Sequence, residues 1–255
     1  MKTNSKYRDL RTICLLAALC LSLALCSCKA EQSTEISRTA SSERTQPSVE
    51  PSPEDHEATN SDADALALLL QGNDRFVQGR LRHGHESAAR RQELITEQHP
   101  FATVLSCSDS RVPPELLFDQ GLGDLFVVRV AGNVTAPDDI GSIEYAVHHL
   151  HTRLVVVLGH EGCGAVTAAL SPADERSKEP KEIQGLLALI LPSLKKIDPN
   201  LSKDEQVSKG VEANVRASVQ RLQDAPDLKK TIAEGHLKIV GGVYDLESGK
   251  VRMLN

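Results

Sequence analysis

The sequence predicts an α/β fold with a mostly parallel central β-sheet flanked by helices. Three short runs, Phe101 to Leu105, Leu125 to Ala131 and Leu154 to Leu158, are apolar almost without interruption. That is the composition of strands buried on both faces, not the in-out alternation of a half-exposed sheet. Between and after these runs lie segments whose apolar residues recur at helical spacing, as in Ile143, Ala146, Val147 and Leu150. Strands of this type alternating with helices are the pattern of a parallel sheet with helical crossovers. In such sheets ligands sit beyond the carboxyl ends of the strands.

The folded part begins late in the chain. Lys2, Lys6, Arg8 and Arg11 form a basic region ahead of the apolar run Ile13 to Leu25, which is too short for a comfortable membrane span and reads as a secretory signal over residues 1–27. Its end, Leu25-Cys26-Ser27-Cys28, resembles a lipobox, with Leu25 three positions before Cys28 and the small Ser27 just before it. Cys28 then becomes the lipidated first residue, and the expected location is the periplasm or cell envelope, with a membrane contact only through that N-terminal lipid anchor. Residues 28–60 are rich in Ser, Thr, Glu and Pro with almost no large apolar side chains, so they are expected to form a disordered linker to a domain over residues 61–255. Loss of residues 1–27 takes the formal charge from −6 to −9, because four basic residues leave with Asp9 alone. An acidic mature chain of this kind excludes nucleic acid as an expected partner.

Within the domain, Ser61 or Asp62 can cap a helix from Ala63 to Leu70, which Gly72-Asn73 is expected to interrupt. Its stripe of Leu66, Leu69 and Leu70 must pack on something, and an N-terminal helical arm lying on a partner subunit is the expected arrangement. A second amphipathic piece, Ser87 to Glu97, stops at His99-Pro100, and the first strand, Phe101 to Cys107, follows. Val112-Pro113-Pro114 forces an extended exit, Glu115 to Phe118 suits a short helix, and Gly121 and Gly123 mark a turn before the second strand. A helix opening at Asp138 to Gly141 leads directly to the third strand, which runs into Gly159-His160-Glu161-Gly162-Cys163-Gly164 and a small-residue helix, Ala165 to Leu170. Asp174 to Glu182 reads as a charged loop, Ile183 to Leu194 as a helix broken near Pro192, and Val207 to Leu222 as a helix with valines in register. Leu237 to Tyr244, a tight turn at Glu247 to Lys250, and Val251 to Leu254 read as a strand and a returning strand.

Cysteine placement constrains the chemistry. Of six cysteines, Cys14, Cys20, Cys26 and Cys28 lie in the signal region, leaving Cys107 and Cys163 for the domain. For an exported chain a disulfide is one reading and a metal-held thiolate pair is its competitor. Cys107-Ser108-Asp109-Ser110-Arg111 follows the first strand, and if the chain stays extended the thiol, carboxylate and guanidinium at alternate positions face one small volume. His160 and Cys163 stand at the end of the third strand, where a His-x-x-Cys turn can bring imidazole and thiolate together. With Cys107 they offer three sides of a tetrahedron of the N/S donors that zinc prefers, leaving one position open. A Cys nucleophile with His160 as base leaves the second Cys and the Asp–Arg pair without a role. The glycines at 159, 162 and 164 do not have dinucleotide-binding spacing.

Cys107-Ser108-Asp109-Ser110-Arg111 followed some fifty residues later by Gly159-His160-Glu161-Gly162-Cys163-Gly164 resembles the signature of the β-class carbonic anhydrases. The similarity runs from Asn73-x-Arg75-Phe76 through the third strand and, more loosely, through the last strands, and does not reach residues 1–60. The resemblance implies reversible hydration of carbon dioxide to bicarbonate and a proton, with Zn2+ held by Cys107, His160 and Cys163 and with Asp109 and Arg111 as a catalytic dyad. It further implies that Gln98 reaches into a partner subunit's site to hold bicarbonate, in a homodimer or higher homo-oligomer. Phe126, Ala131 and Tyr145 are implied to line the carbon dioxide pocket, and the Gly164 N–H to meet the bound anion. Two thiolates cancel the formal charge of zinc, so the metal alone acidifies water less than it does among neutral imidazoles. Asp109 is expected to compensate as an acceptor for the attacking water, with Arg111 keeping it ionised and off the metal. Asp109 is also the candidate fourth ligand of a closed state, although the chain has no Trp for the anion pocket that accompanies closure in some family members.

His148, His149 and His151 read as solvated surface at a helix end. Hydrolysis of carbonyl sulfide or carbon disulfide is the rival on the same fold. A non-catalytic zinc or redox module is the rival from another class, and it gives the dyad no use.

Overall fold

The computed structural model describes residues 61–254. The expected signal segment, lipobox and linker lie outside the described residues. A five-stranded sheet of the described residues runs in the order β2-β1-β3-β4-β5, formed by β1 (Ala102–Ser106), β2 (Leu125–Arg129), β3 (Leu154–His160), β4 (Lys238–Tyr244) and β5 (Val251–Leu254). Every pairing is parallel except the antiparallel return of β5 on β4, as the tight turn before it requires.

Buried apolar side chains alternate between the two faces of the sheet. Leu105, Val155 and Val157 belong to one core with Leu187, Ile190, Val211 and Val215, while Val104, Leu154, Val156 and Leu158 belong to a second with Leu69, Leu117 and Phe118. The first core is covered by α4 (Pro137–His149), α5 (Gly164–Leu170), α7 (Lys181–Leu194), α8 (Lys203–Asp224) and α9 (Pro226–Ala233). The second is covered by α1 (Asp62–Val77) and α3 (Pro114–Leu117). All of β1 and β3 is buried, which is why those strands read as unbroken apolar runs.

The helices depart from the sequence-based expectations where packing overrules local signals. α1 is capped by Ser61, whose side chain accepts from the Asp64 N–H, and it continues through Gly72-Asn73 without a break. Gly72 is there for close approach: a Cβ at that position would run into the carbonyl oxygen of Phe118. Asn73 is buried and ties three segments together. Its Nδ2 donates to Leu117 O at 3.1 Å and Gly249 O at 3.0 Å, and its Oδ1 accepts from the Val251 N–H at 2.8 Å. Of the apolar stripe, Leu69 is buried against this same chain beside Ala65, Leu66 packs next to them, and Leu70 is partly buried.

α2 (Ala88–Glu93) is shorter than the expected Ser87 to Glu97 piece, because none of its residues is buried and nothing holds a further turn. Pro192 does not break α7; Leu187, Ile190 and Leu194 anchor the helix on both sides of it. The expected charged loop contains a single turn, α6 (Ala173–Arg176). α9 gave no clear sequence signal, since Leu228 is its one buried residue.

Gly72→Ala separates local propensity from packing. Propensity alone favours Ala by about 1 kcal/mol, while overpacking a tight contact costs about 1–3 kcal/mol. The expected outcome is net destabilisation, read as a lower urea midpoint for the full chain; a midpoint at or above that of the parent chain contradicts the close approach.

Candidate metal centre

Parallel pairing of β1 with β3 places Ser106 level with Leu158, so both strands end on the same edge of the sheet. Cys107 leaves β1 there and His160 is the last residue of β3. Cys163 is the N-cap residue of α5, three residues further on. The ligand atoms of Cys107, His160 and Cys163 lie within 4.8 Å of one another, and all three residues are buried.

These donors fit zinc on their own chemistry. The Nδ1–H of His160 donates to Glu161 O at 2.9 Å, which fixes the tautomer and leaves Nε2 with a lone pair. Nε2 is buried and has no hydrogen-bond partner among the described residues. Both cysteines are free, so the disulfide reading finds no support. The neighbouring Cys163 thiol first, then the His160 imidazole and the backbone N–H of Gly132 at 3.3 Å, pull Cys107 down to about 4 against the opposing effect of burial. Cys163 is pushed far up by that neighbouring sulfur and by its own burial, with the N–H groups of Val166 and Ala165 acting the other way. Two buried sulfurs can both ionise only if a cation stands between them, and a divalent ion with N/S preference removes the conflict.

Asp109 and Arg111 meet beside this cluster by a turn and not by the alternation of an extended strand. The Val112 N–H closes on Asp109 O at 3.0 Å, and the Arg111 backbone N–H donates to Asp109 Oδ1 at 3.0 Å. The guanidinium then binds the carboxylate with both arms, Nε to Oδ1 at 2.9 Å and Nη2 to Oδ2 at 2.8 Å. That pair holds the Asp109 carboxyl well below the usual carboxylate range. Asp109 Oδ2 stands 3.8 Å from His160 Nε2, at the open side of the cluster, while the Arg111 side chain is 56% exposed to solvent.

Of the other sequence-selected residues, Gln98, Tyr145 and Gly164 are exposed, and Phe126 and Ala131 are partly buried. Gln98 is exposed and lines a cleft with Leu94, Ile95 and Leu122. Phe126 of β2 and Tyr145 of α4 pair with ring centroids 6.3 Å apart, and Tyr145, half exposed, also meets His149 at 4.9 Å. Gly164 opens α5, and a Cβ there would meet nothing within 4 Å, so its backbone borders open space next to Cys163. Ala131 opens the short 3-10 turn Ala131–Asn133 after β2. His148, His149 and His151 are exposed, as expected.

Sequence reasoning passed over Arg129. It ends β2 level with Ser106, and its guanidinium reaches across to Cys107 O (Nε, 3.1 Å) and Asp109 O (Nη2, 2.6 Å). It thereby fixes the backbone that carries both a metal-ligand candidate and the dyad carboxylate. A lone cation closing an apolar strand, at the edge where ligands sit, was the available signal.

A family model described as carbonic anhydrase matches residues 102–251. Carbonic anhydrase 2 of Mycobacterium tuberculosis is 41% identical over 188 residues, spanning 73% of this chain and 89% of that protein. The carbonic anhydrase of Mycolicibacterium smegmatis is 43% identical over 190 residues, spanning 74% and 91%. Among solved structures, the Coccomyxa β-carbonic anhydrase bound to acetazolamide superposes with a TM-score of 0.61 at 28% identity, covering 74% of this chain and 86% of that one. A tetrameric β-carbonic anhydrase from Sordaria macrospora also gives 0.61, at 26% identity over 75% and 98%. The strand-end cluster and these likenesses agree, and the chain belongs to the β-class carbonic anhydrases.

Proposed function

We propose that this chain catalyses the zinc-dependent, reversible hydration of carbon dioxide to bicarbonate and a proton, with Cys107, His160 and Cys163 as metal ligands and Asp109 and Arg111 as the working dyad. The observation that carries the reading is the two-armed Arg111–Asp109 pair set 3.8 Å from His160 Nε2. A structural zinc site has no use for a buttressed carboxylate at its open side.

Bound zinc supplies the Lewis acidity that makes water a nucleophile near neutral pH. The chain's own residues do the rest. Asp109, held ionised by Arg111, can only accept, so a water facing it donates a hydrogen bond that way and turns a lone pair toward the carbon of carbon dioxide. Arg111 uses its Nε and one Nη on Asp109, which keeps that carboxylate from swinging onto the ligand cluster. Gly164 leaves room beside Cys163 for a small anion and presents a backbone N–H there. The partly exposed guanidinium of Arg111 favours arrival and retention of bicarbonate in the reverse direction.

The finer readings concern location and assembly. The basic region, short apolar run and Leu25-Cys26-Ser27-Cys28 support an exported, lipid-anchored protein with Cys28 as the modified residue. No helix of the described residues is long and apolar enough to cross a membrane. Exposed Ile95, Leu122 and Tyr145 support a homo-oligomer in which a second copy covers them and Gln98 meets the partner's site.

Three measurements test these readings. Asp109→Asn is expected to keep its zinc and lose at least about 100-fold in stopped-flow carbon dioxide hydration, the scale of a positioned acid-base group; near-parental turnover in the zinc-loaded variant removes the dyad's role. Palmitate fed to an expressing bacterium is expected to label the full chain and not Cys28→Ser; equal labelling rejects the lipobox. Sedimentation of the full chain in detergent is expected to give a dimer or larger species, and a monomer at micromolar concentration rejects the shared site.

A further inference from the structure

The turn that follows β2 carries a hydrogen bond to the candidate ligand Cys107 and is held in an unfavourable conformation. Gly132 and Asn133 are consecutive left-handed residues, with φ of 69° and 42°. Glycine adopts this region freely, whereas Asn does so at some cost, so two such residues in a row need outside support. The reward is the Gly132 N–H, which points at Cys107 Sγ from 3.3 Å.

The support comes from α8, which contributes no ligand. Asn214 Nδ2 donates to Gly132 O at 2.7 Å, and Ser218 Oγ donates to Asn133 O at 3.0 Å. These two side chains are spaced one helical turn apart and are buried to within 1% of full burial. Asn214 Oδ1 has no partner among the described residues, so the contact with Gly132 is what orients this amide. The helix lies close enough to reach the turn because Gly159, next to the ligand His160, has no side chain. A Cβ there would press on Val215 and Val211 of α8 and come within 3.6 Å of Asn133 Oδ1. A Cβ on Gly132 would in turn meet Ile190 and Ala165, so the turn is also confined on its far side.

We propose that Asn214 and Ser218 are positioning residues for the metal centre. By gripping the two carbonyls of the left-handed turn they keep the Gly132 N–H on the Cys107 sulfur, and so set how much charge that thiolate gives to zinc. A hydrogen bond to a metal-bound sulfur withdraws electron density from it and fixes its direction, and outer contacts of this kind tune ligands that they do not touch. The inference rests on the zinc assignment above and extends it to a helix that packs over the first core.

The test uses the full chain, loaded with zinc or cobalt(II). Asn214→Ala is expected to lower zinc affinity by about 10–100-fold in a chelator competition, the scale of outer-contact losses at metal sites. In the cobalt protein the sulfur-to-cobalt charge-transfer band should move to longer wavelength, because a sulfur without its N–H donor is more electron-rich. Val219→Ala serves as the structural control. It truncates the same helix where the side chain packs on Gly241, away from the turn, and should move neither readout. Ser218→Ala removes the weaker grip and should shift both readouts in the same direction by less than about tenfold, which keeps the test available if the Asn214 variant does not fold. Parental affinity and an unmoved band in a folded Asn214→Ala or Ser218→Ala protein overturn the proposal and leave the zinc site standing. A parent chain that takes up neither metal overturns the zinc assignment and this inference with it.

Discussion

The parallel pairing of β1 with β3 is the constraint on which the site depends. Because the two strands run the same way and are in register from Thr103–Val155 to Ser106–Leu158, the residues that leave them emerge at one edge. Cys107 on one strand and His160 on the other are 53 positions apart in the chain, and backbone hydrogen bonding brings them together before any side chain contributes. Both strands are buried along their whole length, so register cannot slip without exposing apolar surface on two faces. The cores on either side of the sheet therefore hold the geometry of the ligands as well as the fold.

Charge explains the next layer. Two thiols packed into one buried space conflict with one another, and the shifts of Cys107 and Cys163 are opposed accordingly. The chain offsets that conflict with directed N–H groups: Gly132 on Cys107, and Ala165 and Val166 at the start of α5 on Cys163. It settles the tautomer of His160 with a single carbonyl. Around this, two arginines have separate duties. Arg111 holds a carboxylate side chain, and Arg129 holds the backbone on which that carboxylate is carried. Such an arrangement places a pre-set acceptor beside the metal position at little reorganisation cost during reaction.

Much of this could be read in the chain, and the misreadings have definite causes. Gly72-Asn73 looks like a helix break because Gly and Asn favour caps and turns, yet here Gly72 makes room for Phe118 and Asn73 spends its amide on Leu117, Gly249 and Val251. Those partners lie 44 to 178 positions away, beyond the reach of any local rule. Cys107, Asp109 and Arg111 do lie together, but the extended-chain argument for grouping them does not apply. A turn closed by Val112 and the Arg111 N–H brings the last two together. Arg129 and Asn214 escaped notice because one ends an ordinary strand and the other sits mid-helix, and neither belongs to a motif.

By itself the sequence determined the α/β class and the strands that form the buried sheet, and it singled out Cys107, His160 and Cys163 as candidate metal ligands with Asp109 and Arg111 as candidates beside them. Those features rest on local properties: continuous apolar runs, helical spacing, and rare residue types at strand ends. Only the tertiary structure decided the strand order, the two-armed grip of Arg111, the bridge from Arg129, and the clamp of Asn214 and Ser218 on the turn that touches Cys107. These are contacts between segments distant in sequence, made by common residues whose meaning comes from what they face once the chain has folded.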